Sequence, residues 1–127
     1  MTPANRLILA NLWVAIISFA LGSLMAVMQA LARAGIELPF GTARLYYLSV
    51  TAHGVLLALV FTTFFIMALG YVVLESTLGR IAGMRWAWGG FWVAVIGTVM
   101  TTLAILSGTS TVLYTFYPPL EAHPTFY

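Results

Sequence analysis

The chain has 127 residues, 62% of them hydrophobic and only 6% charged, with five arginines, three glutamates and no lysine, aspartate or cysteine. A soluble domain carries about 25% charged residues, and one of this size leaves too much surface in water to hide so much apolar mass. The composition excludes a cytosolic globular enzyme, a disulfide scaffold and thiol-based zinc or iron–sulfur sites. It also excludes nucleic acid as a partner, because five arginines are too few to neutralise a phosphate backbone.

Three stretches free of arginine and glutamate follow one another: Leu7 to Ala32, Leu45 to Leu74, and Trp86 to Leu120. Each exceeds the ~20 apolar residues that cross ~30 Å of hydrocarbon as a helix. Helix is the expected form, since backbone polar groups in lipid must be satisfied within the segment and no short alternating barrel strands occur. The pattern predicts an all-α membrane protein with three transmembrane helices at about 7–32, 45–74 and 86–113, in one membrane segment over 1–127.

The first run has Arg6 before it and Ala30-Leu31-Ala32 at its end, a superficial likeness to a secretory signal. Its apolar length of about 25 residues exceeds a signal core of about 7–15, so it is expected to remain as a span. Arg33, Glu37 and Arg44 frame the first connection, and Glu75, Arg80 and Arg85 the second. With Arg6, Arg80 and Arg85 on one side and Arg33 and Arg44 on the other, the positive-inside rule places the N-terminus in the cytoplasm. The start of the second span and the end of the third then share a membrane face.

His53 stands about seven residues into the second span, roughly 10 Å below Tyr46 at ~1.5 Å per residue. A titratable side chain at that depth is a functional candidate. The cost of charge in hydrocarbon favours the uncharged ring, which offers a nitrogen lone pair to a metal or haem iron. At 100° per residue it shares a face with Tyr46, Ser49, Leu56, Leu57, Val60, Phe64 and Met67. Ser49, one turn earlier, is a candidate to hold the ring from behind, through its hydroxyl or its carbonyl. Gly54 and Ala58 offer another face for a close helix approach. The alternative for His53 is a hydrogen bond to a neighbouring helix with no metal involved. His123 follows the Pro118-Pro119 break and is expected in a loop.

The run Tyr114-Thr115-Phe116-Tyr117-Pro118-Pro119-Leu120 reads either as an interfacial aromatic anchor or as a lid over a cofactor pocket. The hydroxyl-rich third span, from Thr98 to Thr111, reads mainly as helix packing.

Together these features resemble a known family. Tyr46-Tyr47 through His53-Gly54-Val55 to Val60-Phe61-Thr62 resembles the second helix of subunit I of haem–copper oxygen reductases, and Val112 to Leu120 resembles the loop after its third helix. The likeness is to the B family of cytochrome c oxidases, supported by Gln29-Ala30-Leu31 and by His123 with Phe126-Tyr127. The resemblance implies that the chain is the N-terminal quarter of a bundle of twelve or more helices, truncated or split from the remainder. It implies that His53 is an axial ligand of a low-spin haem, b-type, and that Tyr114 and Tyr117 shape the haem region. A high-spin haem and copper would belong to the complete subunit.

The implied activity is that of a terminal respiratory oxidase: electrons from cytochrome c or a similar donor, oxygen reduced to water, protons translocated. The implied partners are the remainder of subunit I, oxidase subunit II, the electron donor and the lipid of a prokaryotic plasma membrane. The fragment alone is expected to be inactive. The alternatives are a nitric oxide reductase-like fragment, a three-span packing or assembly protein without cofactor, and a homodimeric haem cytochrome with two copies of His53 on one iron.

Overall fold

The computed structural model describes residues 2–36, 42–108, 110, 123 and 124. Helix α1 spans Pro3–Arg33; the second span runs from Ala43 to Leu78 as α2 (Ala43–Gly54), a π-helical segment (Val55–Phe61) and α3 (Thr62–Leu78); α4 spans Met84–Leu106. All three spans are long and apolar enough to cross a membrane. The chain is an all-helical, multi-pass membrane protein, with no regular strand among the described residues.

Local sequence explains the helix ends. Thr2 caps α1, its hydroxyl accepting the Asn5 N–H at 3.1 Å, with Pro3 in the first turn where its missing donor costs nothing. Thr42 caps α2 in the same way, accepting from Leu45 N–H at 3.2 Å. The second span ends at Gly79, in the left-handed conformation. Helix α4 stops at Leu106, earlier than the expected residue 113, because Ser107 and Gly108 close it. Gly108 has φ +75 and donates its N–H to Ile105 at 2.9 Å, a turn that a residue with a Cβ enters at a cost.

The first two spans form an antiparallel pair in steady register. Arg33 meets Tyr46, Gln29 meets Ser49, Gly22 meets His53, Phe19 meets Phe61 and Thr2 meets Glu75. Leu7 and Ala15 of α1 are fully buried in a core with Val55, Val60 and Phe64, to which α4 adds Phe91, Ala104 and Ile105. Phe64 and Phe91 pack edge to face at 5.9 Å, a favoured aromatic geometry. The third span is the least buried. Ile66, Val73, Val93, Ile96 and Leu103 are all more than half exposed, as suits side chains that face lipid or further membrane protein.

Buried Asn11 and Thr51 are tied back to the backbone, whereas the buried Ser110 hydroxyl has no partner among the described residues. Asn11 donates to the Leu7 carbonyl at 2.9 Å and Thr51 to the Tyr47 carbonyl at 2.9 Å. In hydrocarbon an unpaired polar atom costs several kcal/mol, which accounts for the pairing.

Candidate functional site

His53 occupies the last turn of α2, and the backbone changes character two residues later. From Val55 to Phe61 the bonding becomes i→i+5, a wider turn that recurs at functional positions in helices. The Thr62 hydroxyl donates to the carbonyls of Ala58 and Leu59, satisfying acceptors where the segment returns to α geometry. The expected face changes with it. Ser49, Val60 and Phe64 are buried and Leu56 and Leu57 half-buried, but Met67 is 42% exposed and Ala68 is buried instead. The straight 100° projection fails beyond the widened turns.

The half-buried imidazole reaches across to α1, where Nδ1 lies 2.9 Å from the Gly22 carbonyl oxygen. A carbonyl only accepts, so Nδ1 carries a proton, and in the neutral ring Nε2 is then the nitrogen with the lone pair. A hydrogen bond from one ring nitrogen is the usual way a protein fixes the tautomer and orientation of a metal-binding histidine.

Ser49 does not hold the ring. Its hydroxyl donates to the Tyr46 carbonyl at 2.7 Å, and its carbonyl accepts from Gln29 Nε2 at 3.2 Å. The partner comes from the neighbouring helix rather than from one turn back. The close approach falls at Gly22 of α1, a position that the sequence does not mark, whereas the expected positions are Gly54 and Ala58. Gly54 is buried, but Ala58 is exposed.

The approach of the two spans depends on Gly22. A Cβ there would stand 2.7 Å from Leu57 Cδ2, 2.8 Å from Leu57 Cγ and 3.4 Å from Leu56 Cβ. Glycine brings backbones together in just this way at membrane helix contacts.

The other candidates are placed differently. Tyr114 and Tyr117 lie outside the described residues. His123 is exposed. The end of the molecule nearest Tyr46 carries two arginines: Arg33 Nε donates to Tyr46 Oη at 3.1 Å, and Arg44 donates to the Gly108 carbonyl. The opposite end holds an open groove of about 480 Å³ lined by Asn5, Ile8, Leu9, Val72, Glu75 and Ser76.

Among the described residues, no three histidine, cysteine, aspartate or glutamate side chains come together. One imidazole serves a metal only when the other ligands come from elsewhere. A porphyrin meets that condition, since it supplies its own in-plane nitrogens and asks the protein only for axial donors. The donor chemistry of His53, an oriented ring with its second nitrogen bearing the lone pair, fits such a group.

The family model for "Cytochrome C and Quinol oxidase polypeptide I" matches residues 6–127. The chain belongs to this family. It is 36% identical to cytochrome c oxidase subunit 1 of Thermus thermophilus over 133 residues, covering 98% of this chain and 23% of that relative. Among solved structures it is similar to a heme-copper terminal oxidase dimer, with a TM-score of 0.89 at 34% identity, over 99% of this chain and 22% of the other. The chain thus spans under a quarter of the length of these oxidase polypeptides.

Proposed function

We propose that the chain supplies three membrane spans and one low-spin haem ligand, His53, to the catalytic subunit of a terminal respiratory oxidase. The observation that carries this reading is the His53 ring within a membrane helix, its Nδ1–H directed to the Gly22 carbonyl and its Nε2 left with the lone pair. Membership of the cytochrome c and quinol oxidase polypeptide I family supports it.

The division of labour within the chain follows. His53 would hold the haem iron through Nε2, with the Gly22 carbonyl keeping the ring in the tautomer this requires. Tyr114 and Tyr117 are assigned to shaping the haem region on the family resemblance. The N-terminus is cytoplasmic, so His53 lies in the outer half of the membrane. When bound, the low-spin haem, b-type, supplies one-electron transfer from cytochrome c or a similar donor to a high-spin haem–copper centre, where the complete subunit reduces oxygen to water with proton translocation. That centre and subunit II would come from outside these 127 residues, so the chain alone is expected to be inactive.

The test is optical and magnetic spectroscopy of the assembled oxidase with His53→Ala. Loss of the low-spin haem signal with the complex still assembled is the expected result. An unchanged signal overturns the assignment.

A further inference from the structure

We infer that Gly22 is a positioning residue for the His53 ring, and that it acts through its missing side chain. The notch left in α1 seats Leu57 of the π-helical segment, and that seat keeps the Gly22 carbonyl on Nδ1. The readout of this inference rests on the proposed haem role of His53; its geometry does not.

Gly22 has two neighbours on the second span that do different things. Its carbonyl oxygen meets His53 Nδ1 at 2.9 Å. The place where its Cβ would stand lies 2.7 Å from Leu57 Cδ2 and 2.8 Å from Leu57 Cγ. Rotating the leucine about its outer bond moves Cδ2 but leaves Cγ in place, so clearing Cγ takes a change of rotamer at Cα–Cβ that withdraws Leu57 from the notch. Leu56 Cβ, 3.4 Å away, is fixed to the backbone and blocks a simple slide. Restoring ordinary carbon–carbon contact needs about 1 Å of separation. The hydrogen bond cannot follow that far, since it fails as the donor–acceptor distance passes about 3.5 Å.

The surroundings prevent the helices from relaxing along their length. On one side Gln29 grips the Ser49 carbonyl at 3.2 Å, and on the other Phe19 packs on Phe61 at 5.3 Å between ring centroids. The contact between α1 and the second span is therefore pinned on both sides of Gly22. A methyl group there is expected either to unseat Leu57 from the notch or to wedge the two spans apart at the imidazole.

The experiment compares Gly22→Ala, Leu57→Ala, the double variant Gly22→Ala/Leu57→Ala and His53→Ala in the complete assembled oxidase. The readouts are low-spin haem per complex and the midpoint potential of that haem. Gly22→Ala is expected to weaken haem retention on the order of tenfold to a hundredfold, the usual effect of losing an outer hydrogen bond to a metal ligand, and to move the potential. Leu57→Ala empties the notch without touching the carbonyl, so the double variant is expected to regain wild-type haem content and potential. A Gly22→Ala oxidase with wild-type haem and potential overturns the inference while leaving His53 as ligand. So does a double variant no better than Gly22→Ala, including the case in which neither assembles. Retention of the low-spin signal in His53→Ala overturns the ligand reading itself.

Discussion

Arg44, in the first turn of α2, donates two hydrogen bonds to the Gly108 carbonyl just past the end of α4, at 2.7 Å from Nη2 and 3.3 Å from Nε. A cation at a helix C-terminus meets the partial negative charge of the final carbonyls. The same guanidinium fills the space a Cβ on residue 108 would need, 2.7 Å from Nη2. The pair clasps the start of the second span to the end of the third.

Arg44→Ala is expected to release that end of α4 at a cost of about 0.3–1 kcal/mol, given that the arginine is exposed. Hydrogen exchange over residues 103–108 should speed up, with little change at the α1 end of the pair. Unchanged protection would show that Gly108 closes the helix unaided.

Phe64 is only 2% exposed and packs edge to face on Phe91. Phe64→Ala is expected to cost about 3–5 kcal/mol through the cavity it leaves. Phe64→Leu should cost clearly less. Denaturant unfolding in detergent checks the order, and equal losses would count against a packing role.

Gln29 separates a polar from a charged substitution at one place. Gln29→Leu removes the bond to the Ser49 carbonyl and is expected to cost about 0.6–1 kcal/mol, as intramembrane hydrogen bonds do. Gln29→Glu replaces the donor with an acceptor facing a carbonyl and adds a buried carboxyl, for a clearly larger loss. Comparable stability of the two variants would contradict the buried contact.

Thr62→Val keeps the shape of the side chain and removes the hydroxyl bonded to Ala58 and Leu59. The expected loss is about 0.5–1.5 kcal/mol, with faster amide exchange confined to Val55–Phe61 and the turn after it. Exchange that stays unchanged there would mean the widened turns do not depend on the threonine.

The three spans were legible because apolar length is a direct physical requirement of the bilayer, and charged residues mark where it ends. The shared face of the second span's start and the third span's end was legible for the same reason, and the Arg44–Gly108 clasp is its local form. The π-helical segment was not. Val55-Leu56-Leu57-Ala58-Leu59-Val60-Phe61 has no residue that signals i→i+5 bonding, and its apolar pattern suits either turn. Gly22 was hidden among the small residues of α1, since a glycine shows its use only when the opposing side chain is known. The early stop of α4 was readable in principle from Ser107-Gly108, but the apolar residues beyond it masked the signal. Tyr114 and Tyr117 lie beyond the described residues.

The spans are gripped unequally, and local stability is expected to follow that difference. The hairpin of the first two membrane crossings zips along its whole length, from Thr2–Glu75 to Arg33–Tyr46, so it can close soon after both have entered the bilayer. The third crossing is held by the Phe64–Phe91 rings, by Ala104 and Ile105 in the core, and by the Arg44 clasp. As the least buried of the three, it is the crossing expected to loosen first when the bundle is destabilised.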